Sequence, residues 1–184
     1  MVLAVVALTT TFGFWNLIRA SGPVRTRLAA GELSGVFALA RSAAIRYKQN
    51  VGVKFFVEAD GTVSYGLFKD DDGDGVSSRD IEDGTDLPLT PRRDLEHLGH
   101  RTGFGFPPGD APRDPADRSR RLDRLDDPIR FNNSDIASFS PLGGATPGSV
   151  YVTDGRDSLS VVRILGRTGR IRTLRYDSET ESWR

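Results

Sequence analysis

The stretch "LSGVFALARSAAIRYKQNVGVKFFVEADGTVSYGLF", Leu33 to Phe68, changes its period halfway along. Leu33, Phe37, Ala40, Ala44 and Tyr47 recur at alternating spacings of four and three. That spacing predicts the apolar stripe of an amphipathic helix, with Arg41, Arg46 and Lys48 on its other face. From Val51 the composition turns to β-branched and aromatic residues. Val51 to Glu58 and Thr62 to Phe68 read as strands. Asp60-Gly61 between them reads as a tight hairpin turn with both residues at positive φ. The helix is expected to end near Asn50. Its stripe needs a surface to cover, and the strands that follow supply one.

Upstream, "MVLAVVALTTTFGFWNLI", Met1 to Ile18, contains no charged residue, whereas charges are frequent after it. Its apolar residues do not alternate with polar ones, as a surface helix would require. Its length sits at the lower limit for a membrane-spanning helix, about 17 residues. Gly22 and Pro23 predict a kink or break between this run and the amphipathic helix. Downstream, strands are expected at Ile136 to Ser140, Ser149 to Thr153, Leu159 to Leu165 and Ile171 to Tyr176, separated by "PLGGATPG", "DGRD" and "GRTG". Between the two groups of strands, residues 85–130 hold most of the prolines and many charges of both signs. They read as a long loop or a loosely ordered insertion. The expected organisation is a helix over residues 1–50, with a membrane anchor and filament core in 1–27, and a β-rich head over 51–184. Helix first and hairpin-spaced strands after it predict an α+β fold with an antiparallel sheet.

The 184 residues carry 25 basic and 25 acidic side chains and no cysteine. Disulfides, thiolate metal sites and cysteine nucleophiles are excluded. The zero net charge supplies no global attraction to nucleic acid or anionic lipid, so any such contact must come from a local patch. No nucleophile elbow, Walker or dinucleotide fingerprint occurs. The chain reads as a non-enzyme.

Several stretches in this order resemble the GspH/FimT family of type IV pilin-like minor pilins and pseudopilins. "LARSAAIRYKQNV" is similar to the end of the family's N-terminal helix, "SFSPLGGATPGSVYVTD" to its central strand-turn-strand, and "GRTGRIRTLRYD" to its closing strand. The resemblance implies a type IV pilin-like fold, with a long N-terminal helix packed on an antiparallel head. It implies a structural subunit of a type IV pilus or type II secretion system that assembles through that helix. Its partners would be other pilins or pseudopilins of the filament and inner-membrane lipid, with no small-molecule substrate. The chain would cross the inner membrane once, its head in the periplasm or on an extracellular filament. Family members begin with a basic leader, a glycine at the cleavage point and an early acidic residue. Met1 falls after the place where these are expected, so they are looked for in a longer natural form. The alternative is a membrane-anchored or secreted calcium- or ligand-binding module that does not polymerise.

Two further features carry chemistry. "KDDDGDGVSSRDIEDG", Lys69 to Gly84, places Asp70, Asp72, Asp74 and Gly75 at positions one, three, five and six of an EF-hand-like loop. Val76, Asp80 and Glu82 complete the candidate calcium ligands. The closing carboxylate is off register, because position twelve is Ile81, so a solvated turn is the competing reading. Arg167, Arg170, Arg172 and Arg175 crowd the last strands, and "GRIR", Gly169 to Arg172, matches a G-R-x-R motif of FimT-like proteins of DNA-uptake pili. That match implies non-specific phosphate contacts to DNA. The competing reading is an edge strand protected by charge. His97 and His100 are the only histidines, and both read as solvated surface.

Overall fold

The computed structural model describes the backbone of residues 2–99 and 101–184, and the side chains of 22–99 and 101–184. Most side chains of the anchor expected over 1–27 therefore lie outside the described residues. One helix, α1 (Val2–Tyr47), opens the chain. It is followed by β1 (Val51–Val57), β2 (Val63–Lys69), α2 (Ser78–Asp83), β3 (Leu87–Pro88), β4 (Gly103–Phe104), β5 (Ile129–Arg130), β6 (Ile136–Phe139), β7 (Gly148–Thr153), β8 (Leu159–Leu165), β9 (Arg170–Asp177) and β10 (Ser182–Trp183).

The strands form two antiparallel sheets, ordered β3-β2-β1-β6 and β10-β9-β8-β7-β4, with β5 also on β7. The predicted stripe lands on them: Leu33, Phe37, Ala40 and Ala44 are fully buried. One apolar core joins them to Val51, Val53 and Phe55 of the first sheet and to Val150, Val152, Val162 and Ile164 of the second. Phe37 sits at its centre, its ring 6.2 Å from Phe55, 5.8 Å from Phe131 and 6.2 Å from Phe139. Tyr47 departs from the expected stripe. As the last residue of α1 it is 43% exposed, and it receives Lys69 over its ring instead.

Two local expectations are corrected. The helix runs through Gly22 and Pro23 without a break. Gly22 serves a close approach: a Cβ there would lie 2.0 Å from Asp154 Oδ2 in the β7–β8 turn. The β1–β2 hairpin is wider than a two-residue turn. The Gly61 amide donates to the Glu58 carbonyl and the Glu58 amide to the Thr62 carbonyl. Only Gly61 takes positive φ there (84°); Asp60 does not. A type I turn closed by a left-handed glycine satisfies the same sequence with one strained residue fewer.

Residues 85–130 follow an irregular path, yet they are pinned. They cross the second sheet on the face away from α1, where Leu122 and Phe106 join Tyr151, Val161, Leu174, Tyr176 and Trp183 in a second apolar cluster. The Trp183 indole donates to the Arg113 carbonyl at 2.6 Å. Glu181 takes Arg113 on one oxygen and Arg121 on the other. His97 binds Glu32 of α1 at 2.9 Å, and the other Glu32 oxygen accepts from Tyr65 at 2.6 Å. Prolines and charges hide this order from a reading of the sequence because its anchors are single long-range contacts rather than a repeating pattern.

Candidate functional site

The helix is apolar on two sides. Opposite the buried stripe, Val24, Leu28, Gly31, Gly35 and Leu39 recur at helical spacing. Val24, Leu28 and Leu39 are 58%, 55% and 54% exposed. Gly31 and Gly35 are exposed with nothing within 4 Å of where a Cβ would sit. Small residues one turn apart, flanked by branched aliphatics, let a second helix approach closely. This outer stripe was legible in the sequence as a second 3.6-residue period, offset by half a turn from the first, but the first period masks it.

The acidic loop leaves β2 at Lys69 and leads into α2. Asp70, Asp72 and Asp74 each turn a carboxylate oxygen toward the others, all within 4.8 Å. Asp70 is buried. Its Oδ1 accepts the Gly73 amide at 2.7 Å, and its Oδ2 accepts the Gly75 amide at 3.1 Å and Asn50 Nδ2 at 2.8 Å. Burial works against its charge, but these donors outweigh it and hold its pKa below the usual carboxylate value. Asp74 is pushed upward, chiefly by Asp72 beside it. Val76 packs its side chain over Gly52 next to Ile136 and so fastens the loop to β1. Ser77 is the N-cap of α2: its Oγ accepts the Asp80 amide while its hydroxyl donates to the Asp80 carboxylate at 2.5 Å, which engages Asp80 in the first turn. Glu82 is exposed on α2, where its charge acts on Lys54.

One carboxylate here was missed from the sequence. Asp86 is 1% exposed and immediately precedes β3. Its Oδ2 accepts the Ser77 amide at 3.0 Å, and its Oδ1 is buried without a hydrogen-bond partner. Burial, with help from Asp70 and Asp80, pushes its pKa up. Its place beside the loop comes from strand pairing: β3 pairs with β2, Lys69 opposite Leu87, which returns the chain at Asp86 to the loop that leaves β2.

The four arginines divide. Arg167 is in the turn after β8, and Arg170, Arg172 and Arg175 are exposed on β9. Alternation along the strand puts Arg170 and Arg172 on the face shared with Leu174 and Tyr176, and Arg175 on the opposite face. Arg172 lies directly across from Arg163 of β8, whose Nη1 donates to the Pro115 carbonyl of the insertion. β8 pairs along β9, whereas on the other side β10 covers only Tyr176 and Asp177, so Arg170 and Arg172 lie on a stretch of β9 that is open on that side.

A long N-terminal helix laid across antiparallel sheets, with a second apolar stripe turned outward, defines a type IV pilin-like protein. Residues 29–169 match the family of type II transport protein GspH, and the chain belongs to that family. No curated protein and no solved structure matches it. The family is one of structural pseudopilins, and a single apolar N-terminal helix fits one membrane anchor.

Proposed function

We propose that this chain is a pseudopilin that joins a filament of a type II secretion system through α1, its head carried outside the inner membrane. The observation that carries the reading is the outer stripe of Val24, Leu28, Gly31, Gly35 and Leu39, left uncovered while the opposite face is fully occupied by the head. By length and composition Gly22–Tyr47 alone could span a membrane. Its inner stripe is already sealed against the sheets, so the reading assigns lipid to the residues before Gly22 and neighbouring helices to the outer stripe. The partners are then other pseudopilins, met helix to helix.

A photo-crosslinking residue tests this at Leu28 or Leu39 in the full chain, produced in cells that hold the remaining subunits. The control is Val57, which is as exposed (57%) but lies at the end of β1. Adducts with another pilin-like subunit from positions 28 and 39, and not from 57, are expected. Adducts from 57 alone, or none with any pilin-like subunit, overturn the reading.

A further inference from the structure

The open side of β9 has a defined backbone geometry. β10 lies against Tyr176 and Asp177, and just beyond it Arg175 and Arg184 exchange backbone hydrogen bonds of 2.8 and 2.9 Å. These bonds fix the direction in which the Arg175 amide and carbonyl point. Alternation along an antiparallel strand sends those of Thr173 and Ile171 the same way, while Arg172 and Leu174 turn theirs to β8. From Arg170 to Leu174 no strand lies on the outward side among the described residues. The N–H and C=O groups of Ile171 and Thr173 are therefore presented in strand spacing, which is the template for another strand.

The side chains around this edge carry charge of one sign. Arg170, Arg172 and Arg175 are exposed on β9, Arg167 stands in the turn before it, and Arg163 of β8 lies directly across from Arg172. Among the described residues none of the five takes part in an ion pair. Arg163 finds only the Pro115 carbonyl, and its Nε is buried with no acceptor. Like charges directly opposite each other on a sheet destabilise it, so the arrangement is unfavourable alone and is relieved by acids brought from outside. Charge on an open edge also deters pairing with a second copy of that edge. Such deterrence acts only against a like-charged strand; the same arginines attract a strand of opposite sign.

We propose that the open stretch of β9, Arg170 to Leu174, receives an extended acidic segment of another protein as an added strand, antiparallel and in line with β10. Backbone pairing supplies the affinity and the arginines supply the selection. Arg170 and Arg172 share a face and stand about 7 Å apart along the strand, the spacing of alternate residues in the incoming segment. Carboxylates at those two positions lie opposite the arginines, about 5 Å away at Cβ, within reach of bidentate pairing. The residue between them falls opposite Ile171, which is half-buried against the core, so it is apolar. The pattern selected is acid, apolar, acid. A peptide fits this edge better than a nucleic acid does. Phosphates answer N–H donors and guanidiniums but repel the outward carbonyls of Ile171 and Thr173, whereas a strand answers both. The zero net charge of the chain adds no wider attraction to a polyanion. The surface is separate from the outer stripe of α1, and nothing in the proposal depends on filament assembly.

The test uses the full chain in detergent micelles and a fluorescent, end-blocked peptide of sequence Thr-Val-Glu-Val-Glu-Val-Thr, with binding read by anisotropy. Saturable binding below about 1 mM is expected. Amide hydrogen exchange should slow on binding at Ile171 and Thr173 and not at Arg172 or Leu174, whose amides already face β8. The same peptide N-methylated at its valines keeps its charge but cannot donate to the edge, and should bind about tenfold or more weakly. A peptide with lysine for glutamate should not bind. Arg170→Gln with Arg172→Gln, both exposed, should lose about tenfold in affinity. Thr173→Pro removes one outward amide and leaves the bonds to β8 in place, and should lose about as much. If that variant fails to fold, the N-methylated peptide decides the same point on the wild type. No binding of the acidic peptide at about 1 mM reduces the arginines to edge protection and overturns the proposal. Equal binding of the methylated and parent peptides overturns it as well, since charge alone would then suffice. A random-sequence DNA duplex that binds more tightly than the peptide, and equally well to Thr173→Pro, makes the stretch a phosphate site instead.

Discussion

Replacing Phe37 with alanine should detach α1 from the head, and Leu39→Ala two residues away should not. Phe37 is fully buried and lies within 6.2 Å, ring to ring, of Phe55, Phe131 and Phe139. Truncating a buried phenylalanine costs about 3–5 kcal/mol through lost transfer energy and the cavity left behind. Three aromatic neighbours, each worth roughly 0.5 kcal/mol or more beyond area, put this site near the top of that range. Leu39 is 54% exposed on the opposite stripe, so its truncation should cost about 0.5 kcal/mol. Urea unfolding of the full chain in detergent, followed by far-UV circular dichroism, reads both. For a chain of 184 residues the Phe37→Ala loss corresponds to a fall of about 10–15 °C in melting temperature. If that variant fails to fold, Phe37→Leu should still fold, with a loss of about 1–2 kcal/mol. Comparable losses for Phe37→Ala and Leu39→Ala would refute the assignment of inner and outer faces.

Two further predictions concern other joints of the head. Gly22→Ala adds a methyl 2.0 Å from Asp154 Oδ2. That carboxylate cannot easily move, because its Oδ1 accepts the amides of Arg156, Asp157 and Ser158. The substitution should destabilise by about 1–3 kcal/mol, although alanine is the better helix former; a rise in melting temperature would show that the helix does not approach the β7–β8 turn so closely. At alkaline pH the head should weaken through Tyr65, whose pKa burial raises well above 10, reinforced by its hydrogen bond to Glu32. A raised folded pKa means that the neutral phenol's contribution is complete below the unfolded value near 10 and is lost as pH climbs through and beyond it. Tyr151, held up at about 12 by burial, adds to the same slope. Tyr65→Phe should lose about 1 kcal/mol at neutral pH and flatten the decline in melting temperature above about pH 10; an unchanged alkaline slope would contradict the burial of this hydroxyl.

What could be read from the sequence was whatever repeats. The stripe of Leu33, Phe37, Ala40 and Ala44 and the six main strands declare themselves through period, and their observed bounds shift by only a residue or two from the reading. What could not be read rests on single contacts between distant residues. The short strands β3, β4, β5 and β10 have no period to detect. The insertion is ordered by Trp183 on Arg113, by Glu181 on two arginines and by His97 on Glu32, each linking residues at least sixty apart. The acidic loop was legible in Asp70, Asp72 and Asp74 because they follow a known spacing. Asp86 was not, because its contact with the loop at Ser77 exists only once β3 has paired with β2. Gly22 was read as a helix breaker because glycine beside proline has that meaning locally, whereas its actual constraint comes from Asp154, over 130 residues away.

The two stripes of α1 resolve a conflict that a single stripe would create. A helix with one apolar face must choose between folding onto its own head and bundling with neighbours, since either use covers the only surface it has. Here Ala29, Ala30, Leu33, Phe37, Ala40 and Ala44 are consumed by folding. Val24, Leu28 and Leu39 stay outside, with Gly31 and Gly35 between them. The inner stripe is rich in alanine, which brings the helix axis close to the sheets and lets Phe37 reach both. The outer stripe places glycine at its middle, where a second helix axis would cross, and branched aliphatics at its ends. Under the proposed function, folding and assembly draw on separate surfaces of one element, and the head can be complete before the helix meets another. That separation also explains why a helix so apolar around its circumference is not simply a core helix. Its second face has nothing of its own chain to cover it among the described residues, and its two glycines are each unfavourable by about 1 kcal/mol relative to alanine in an exposed helix, a cost that the proposed approach of another helix would offset.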